Sequence, residues 1–339
     1  MEQYVGLDVS QRETAICVID GTGNRVWEGV CRSVPGAIAD VLAKRAPTAT
    51  RVGMETGPLA VWHWHALKQR GVPVVCLHAR HAKAALSLQA NKTDRNDAHG
   101  LAQIVRTGWY RAVEMKSLAS HELRTLLQAR RQLIGMRTTL YNQMRGLLKT
   151  FGVVLPSGRG SRFRALIQAH ALERPGIGPV LEALLATWCE VHRQVRVLDR
   201  ALHRTARQVE VCRRWLRVPG IGAITAVAYY ATIDDPTRFR RSKDIGPYLG
   251  LTPKRYQSGE VDHPGSISKC GDRLTRSLLF EAASVLLSRT RAPSALKDWG
   301  QAIARRSGYG KARVAVARKL GVILHRLWVD GAEFSAHAA

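Results

Sequence analysis

The chain reads as an α/β domain followed by a mainly α-helical remainder. Three features predict this. Short strand-like apolar runs lie between turn signals and helix-like stretches over roughly the first hundred residues. Two later stretches carry apolar residues at heptad spacing, the pattern of long paired helices. Charge divides at the same place: residues 1–110 carry 13 basic and 9 acidic side chains, net +4, whereas residues 111–339 carry 39 and 17, net +22. With 339 residues, 45% of them hydrophobic, the chain is long enough for two domains with cores of their own.

Tyr4 to Val9 and Thr14 to Ile19 are predicted as strands. Asp20-Gly21-Thr22-Gly23-Asn24 is a turn, and a third strand from about Arg25 to Val30 completes an antiparallel meander. A helix then covers Pro35 to Arg45, a strand Arg51 to Glu55, a helix Leu59 to Arg70 and a strand Pro73 to His78. A last helix runs from Asp94 to Arg106. The order βββαβαβα is the topology of the ribonuclease H fold.

From Ser117 to Phe151 one long helix is expected, because Leu126, Leu133, Leu140 and Leu147 recur every seven residues with Leu127, Ile134, Tyr141 and Leu148 beside them. After a loop rich in Gly, Arg and Ser from Ser157 to Phe163, a second long helix is expected over Leu181 to Leu216, its apolar steps alternating three and four without interruption. The two should pair as an antiparallel coiled coil or form a dimerisation arm. A plain helical connector fits the same pattern, since heptads predict pairing but not the partner. The third region opens at Val218-Pro219-Gly220-Ile221-Gly222, continues as an apolar helix through Tyr230 and ends in a helix around Val314 to Trp328. It reads as mixed and mostly helical. The expected domains are therefore residues 1–110, 111–217 and 218–339.

A formal charge of +26 exceeds what solubility needs, and 40 of the 52 basic residues are arginine, whose planar fork pairs bidentately with phosphate. A GC-rich genome also enriches arginine, but it does not explain the shortage of acids. Nucleic acid is the expected partner. Cys17, Cys31, Cys76, Cys189, Cys212 and Cys270 are scattered, with no C-x-x-C pair or zinc spacing, and read as reduced core residues. No apolar run reaches membrane length, so a soluble cytoplasmic protein without membrane partners is expected.

Asp8 and Glu55 end the first and fourth predicted strands. If those strands are neighbours, both carboxylates project to one end of the sheet. Asp94 and Asp97, three apart, share a face of the helix that follows. Each acid also has an innocent role: Asp8 could simply end a strand, Glu55 could cap the next helix, and Asp94 or Asp97 could stabilise a helix dipole. Four carboxylates close together repel unless cations neutralise them, and oxygen-only donors select Mg²⁺, with Mn²⁺ as the alternative. Two such ions about 4 Å apart can activate a nucleophile and stabilise a leaving oxygen on phosphorus.

Gly6-Leu7-Asp8-Val9-Ser10, Met54-Glu55-Thr56-Gly57 and Asn91-Lys92-Thr93-Asp94-Arg95-Asn96-Asp97-Ala98 closely resemble the RuvC-like domain of the Asp-Glu-Asp-Asp insertion-sequence transposases, a family that includes the Piv-type DNA invertases. Pro219-Gly220-Ile221-Gly222, Tyr248-Leu249-Gly250-Leu251-Thr252-Pro253, Ser258-Gly259 and Gly265-Ser266-Ile267-Ser268-Lys269-Cys270-Gly271 are similar to its C-terminal transposase domain. The likeness spans the chain in order. It implies a recombinase in which Asp8, Glu55, Asp94 and Asp97 bind Mg²⁺ and Ser258 attacks a DNA phosphate to leave a phosphoserine. It further implies a structured guide (bridge) RNA that pairs with donor and target DNA. Synapsis of two DNA sites and the heptad helices favour a homo-oligomer, dimer or tetramer, and Ser258, far downstream of the acids, suggests an active site completed by a second domain of the same or another copy.

The residue chemistry around Ser258 is mixed. A serine hydroxyl needs a base or metal to take its proton and cations to stabilise the reacting phosphate. Lys254, Arg255, Lys269 and Arg273 are near enough in sequence to supply cations, while Ser258-Gly259 could equally be a polar turn. Ser266 and Ser268 are alternatives. Gly220 and Gly222 could open a helix N-terminus to phosphate or form a tight turn. Arg238, Arg240, Arg241 and Lys243 are candidate phosphate contacts, though charge runs also solvate surfaces. In Trp62-His63-Trp64-His65, helical spacing turns some rings into the core. Three other functions compete. A RuvC-like nuclease or junction resolvase would use the same acids with water as nucleophile. An actin-like ATPase would need a second Gly-rich phosphate loop, which is not found, and a non-catalytic binder has no use for clustered carboxylates.

Overall fold

The strand-like runs near the N-terminus build one five-stranded sheet. β1 (Gln3–Val9), β2 (Glu13–Asp20) and β3 (Arg25–Arg32) form the antiparallel meander, and β4 (Ala49–Glu55) and β5 (Val74–Leu77) add in parallel beyond β1. The strand order is β3-β2-β1-β4-β5. Between and after them lie α1 (Pro35–Arg45), α2 (Ala60–Gln69), α3 (Ala79–Leu86) and α4 (Asp94–Thr107). The computed structural model describes residues 2–87, 91–158, 160–259 and 261–336, so Arg159 of the expected 157–163 loop lies outside the described residues.

The period of two sorts the strand residues between two layers. Val5, Leu7, Ile16, Val18, Val52 and Met54 bury against Ile38 and Leu42 of α1 and Leu67 of α2. Ala15, Cys17 and Ile19, one residue out of phase, bury against Ala98 and Ala102 of α4. This second layer is unusually close. A Cβ on Gly6 would lie 1.9 Å from the Ala98 carbonyl oxygen, and one on Gly53, its register partner in β4, would lie 2.4 Å from a Val105 methyl. Glycine at these two positions is what lets α4 lie on the sheet. Gly6→Ala is therefore expected to destabilise the protein by about 3 kcal/mol through overpacking against backbone, measured as a lowered urea midpoint; an unchanged midpoint would contradict this packing.

The chain divides into two units, residues 1–115 and 116–339. In the second, α5 (Leu118–Thr150), α6 (Ser161–Glu173), α7 (Gly178–Gln208), α8 (Glu210–Trp215), α9 (Ala223–Ile233) and α10 (Ile245–Tyr248) precede the hairpin β6 (Pro253–Ser258) and β7 (Val261–Ile267). Then come α11 (Arg273–Ser288), α12 (Ala295–Ser307) and α13 (Tyr309–Val329). α5 and α7 pair antiparallel within the chain: Arg130 pairs with Asp199, and Arg137, seven residues on, donates to His192, seven residues back. α6 closes the far end, where Phe163 and Ile167 pack with Met144, Leu148, Leu181 and Trp188. At the near end Leu127 and Leu202 join the main core of Trp215, Tyr229, Leu279 and Leu320. Its two buried aromatic donors are satisfied by α13, Trp215 Nε1 giving to the Leu324 carbonyl at 3.0 Å and the Tyr229 hydroxyl to that of Gly321 at 2.6 Å.

Several expectations need correction. The helix expected to run uninterrupted to Leu216 breaks at Val209, whose backbone is extended (φ −76°, ψ 116°). Burial stays in phase across the break, with Ala206, Val211, Cys212 and Trp215 all inside, so the side-chain period conceals the backbone change. Cys270 is exposed rather than a core residue, while Cys17, Cys76 and Cys212 are buried, their thiols pushed up by burial to about 11, 12 and 12. In α2, by contrast, His63 is fully buried and Trp62 about half exposed, as expected of a stretch that turns only some of its rings into the core. No helix among the described residues is long and apolar enough to cross a membrane.

Candidate active site

Strand parity places the first two acids. Asp8 has the phase of Gly6, and Glu55 that of Gly53, so both lie on the α4 side of the sheet, at the ends of adjacent parallel strands. α4 runs back along β1. Gly6 meets Ala98 and Ala102, so the helix start, with Asp94 and Asp97 in its first turn, lies toward Asp8. The side chain of Thr93 caps that start by accepting the Asn96 N–H at 3.2 Å. The helix dipole favours both aspartates there, so their innocent role is also fulfilled. Glu55 does not cap the next helix, whose start has no side-chain cap.

Asp8 and Glu55 lie within electrostatic reach of the other acids. Burial raises the Asp8 carboxyl above its ordinary range, Asp94 and Asp97 raise it further, and Lys92 opposes them. Glu55 is raised in the same way, by burial first and then by Asp8 and Asp97, again against Lys92. None of the four side chains has a hydrogen-bond or ion-pair partner among the described residues. Lys92 was not singled out in the sequence, although it stands two residues before Asp94 in the same motif.

The donor set fits a hard cation: it is all oxygen and anionic, with Asp8, Glu55 and Asp97 partly buried and Asp94 exposed, and none of the four in an ion pair among the described residues. Among the described residues no three of the acids converge into one tight ligand set. Such an open arrangement suits Mg²⁺, which retains several waters and takes only one or two carboxylates per ion.

Ser258 lies in the other unit, at the tip of the β6–β7 hairpin, which the sequence did not reveal. It pairs with Val261 across a turn that begins at Gly259 (φ +56°). It is exposed, and its hydroxyl has no partner among the described residues. The hairpin is anchored at its foot. A Cβ on Gly250 (φ +67°) would lie 2.3 Å from the Cys270 carbonyl oxygen, and one on Gly271 (φ +72°) 2.1 Å from that of Tyr248. The Ser268 N–H donates to Thr252 at 2.9 Å, and Arg276 donates to the carbonyls of Leu249 (2.9 Å) and Cys270 (2.6 Å). Ser268 therefore belongs to this anchor, whereas Ser266 is exposed on β7.

The basic candidates divide by what already holds them. Arg255 donates to Asp262 across the hairpin at 2.6 Å, and Arg241 pairs with Asp244 at 3.3 Å. Arg238 lies over the rings of Phe239 and Tyr248 and reaches the Ile233 carbonyl at 3.4 Å, a packing role. Lys254, Arg240, Lys243 and Lys269 are exposed, with no ion pair among the described residues. Arg273, first in α11, lines a cleft of about 220 Å³ with Arg124 and Arg131, where Arg124 pairs with Asp272 at 2.9 Å. Gly220 has a packing duty, since a Cβ there would lie 2.4 Å from the Ala282 carbonyl oxygen. Gly222 is exposed and opens α9.

Known proteins resemble the chain in both units. A family model described as a transposase matches residues 5–152, and one described as the transposase IS116/IS110/IS902 family matches residues 212–299. The transposase for insertion sequence element IS1111A of Coxiella burnetii is 30% identical over 338 residues, covering 96% of this chain and 89% of that protein. The transposase for insertion sequence element IS1328 of Yersinia enterocolitica is 28% identical, covering 73% of this chain and 75% of its own. The pilin gene-inverting protein of Moraxella lacunata is 33% identical over 108 residues, 30% of this chain and 32% of that one.

Proposed function

The chain belongs to the IS116/IS110/IS902 family of insertion-sequence transposases, and from that premise we propose that it cuts and exchanges DNA strands with a carboxylate-held Mg²⁺ site and the Ser258 nucleophile. The observation that carries this reading is that Asp8 and Glu55 end adjacent parallel strands on the side covered by α4, whose first turn holds Asp94 and Asp97, in a chain of net charge +26. The strand order β3-β2-β1-β4-β5 supports a ribonuclease H, RuvC-like identity for residues 1–110.

Mg²⁺ or Mn²⁺ bound by the four acids would supply positive charge against the charge that develops on a scissile phosphate. Ser258 Oγ bonds to phosphorus as the P–O bond to one deoxyribose breaks. The serine proton leaves, and the released deoxyribose oxygen takes one up. Attack by the hydroxyl of a second strand on the phosphoserine remakes a phosphodiester and returns the serine hydroxyl. One phosphodiester is exchanged for another, so the cycle needs no external energy source. Lys254, Lys269 and Arg273 are the cations near the serine in sequence, and the net +22 of residues 111–339 holds nucleic acid. A structured RNA selects donor and target sites by pairing with both, and two or more copies of the chain bring the sites together.

The test uses the full-length protein with its copurifying RNA and a plasmid carrying the element's joined ends. Strand exchange should proceed in Mg²⁺ and stop in chelator or after ribonuclease treatment. Undiminished exchange in chelator would overturn the metal assignment, and undiminished exchange after ribonuclease would overturn the guide RNA.

A further inference from the structure

The β6–β7 ribbon has almost no buried side. Every residue of β6 is exposed, as are Asp262, His263, Gly265 and Ser266 of β7, while Ile267 at the foot packs on the main core. A two-stranded ribbon is marginal in water by itself, and here the glycine-tight foot holds it while its length stays free for contact.

The two faces of the ribbon differ. The register pairs Tyr256 with His263 and Gln257 with Asp262. Because side chains alternate, Lys254, Tyr256, Ser258 and His263 share one face, and Arg255, Gln257 and Asp262 share the other. The second face neutralises itself, Arg255 giving two hydrogen bonds to Asp262, from Nε at 3.0 Å and Nη2 at 2.6 Å. The Ser258 face has no acid and no internal partner among the described residues. Tyr256, at its centre, is 70% exposed. A lone cation, an imidazole and an open aromatic ring around a hydroxyl complement a DNA strand: cations meet phosphates, and a ring stacks on any base.

We propose that this face docks on the DNA strand that Ser258 attacks, with Tyr256 stacked on a base beside the scissile phosphate and Lys254 and His263 on the flanking phosphates. Tyr256 is then a positioning residue. The proposal rests on the Ser258 reading for its location, but docking does not need the serine hydroxyl.

The test is photocrosslinking of the full-length protein to a fluorescent DNA duplex containing 5-iodouracil, with the crosslinked peptide mapped by mass spectrometry and affinity followed by anisotropy at fixed salt. The expected crosslink falls in the peptide containing Tyr256, in the wild type and in Ser258→Ala alike. Tyr256→Ala should lose it and bind roughly tenfold more weakly, the typical worth of one stacked base. Tyr256→Phe, which keeps the ring, and Gln257→Ala, on the opposite face, should retain both signals and serve as folding controls. Crosslinks only elsewhere, unchanged affinity in Tyr256→Ala, an equal loss in Gln257→Ala, or capture only by an RNA probe of the same sequence would each overturn the proposal. If Ser258→Ala still exchanges strands while the crosslink persists, the serine reading fails and the docking face stands.

Discussion

Asp97→Ala is expected to lower Mg²⁺-dependent strand cleavage roughly a thousandfold while leaving the protein folded. Asp97 acts on both raised carboxyls, Asp8 and Glu55, and so sits between them electrically. Its side chain holds nothing else among the described residues. Its removal should therefore cost only the helix-dipole contribution, about 0.3–1 kcal/mol. Cleavage assays with an unfolding curve for the same variant separate the two effects, and full activity would contradict the metal site. The acids also set a pH dependence. A carboxyl raised in the folded state weakens folding above its raised pKa, and that loss is relieved as pH falls through it. Protons compete with Mg²⁺ for the same oxygens, so metal affinity and activity should fall on acidification at a higher pH than ordinary carboxylates would give.

Ser258→Ala is expected to abolish the covalent protein–DNA adduct and to reduce strand exchange roughly 10⁴-fold, because no other group replaces a lost nucleophile. The side chain is exposed at a hairpin tip and has no internal partner among the described residues, so the variant should fold like the wild type. A denaturing gel after reaction with labelled DNA reads the adduct directly. Exchange at the normal rate without Ser258 would favour water as nucleophile and the nuclease alternative.

The sheet was legible because its inner strands are short apolar runs, buried on both faces, between turn signals. Val5 to Leu7 and Ala15 to Ile19 stand out as such runs, and Asp20-Gly21 marks the turn. The acids were legible as strand-end and helix-start residues; the pairing of β1 with β4 sets Asp8 and Glu55 at one end of the sheet, and the packing of α4 on Gly6 turns its first turn toward them. The β6–β7 hairpin was not legible for the opposite reason. With both faces exposed no alternation is required of it, and only the glycines at its foot betray a constraint. α6 begins in a Gly, Arg and Ser run that reads as loop, yet Phe163 and Ile167 are buried once α7 lies beside them. The break at Val209 was hidden because a periodic pattern reports buried side chains and not continuous backbone hydrogen bonds.

Mapping the residue that carries DNA tests the central claim most directly. The adduct formed in Mg²⁺ would be digested with nuclease and protease, and the peptide bearing a residual nucleotide identified by mass spectrometry. The result expected is a nucleotide phosphate on Ser258, absent from the Asp97→Ala protein. A nucleotide on Ser266, Ser268 or any other residue, or efficient strand exchange with no adduct, would contradict the account.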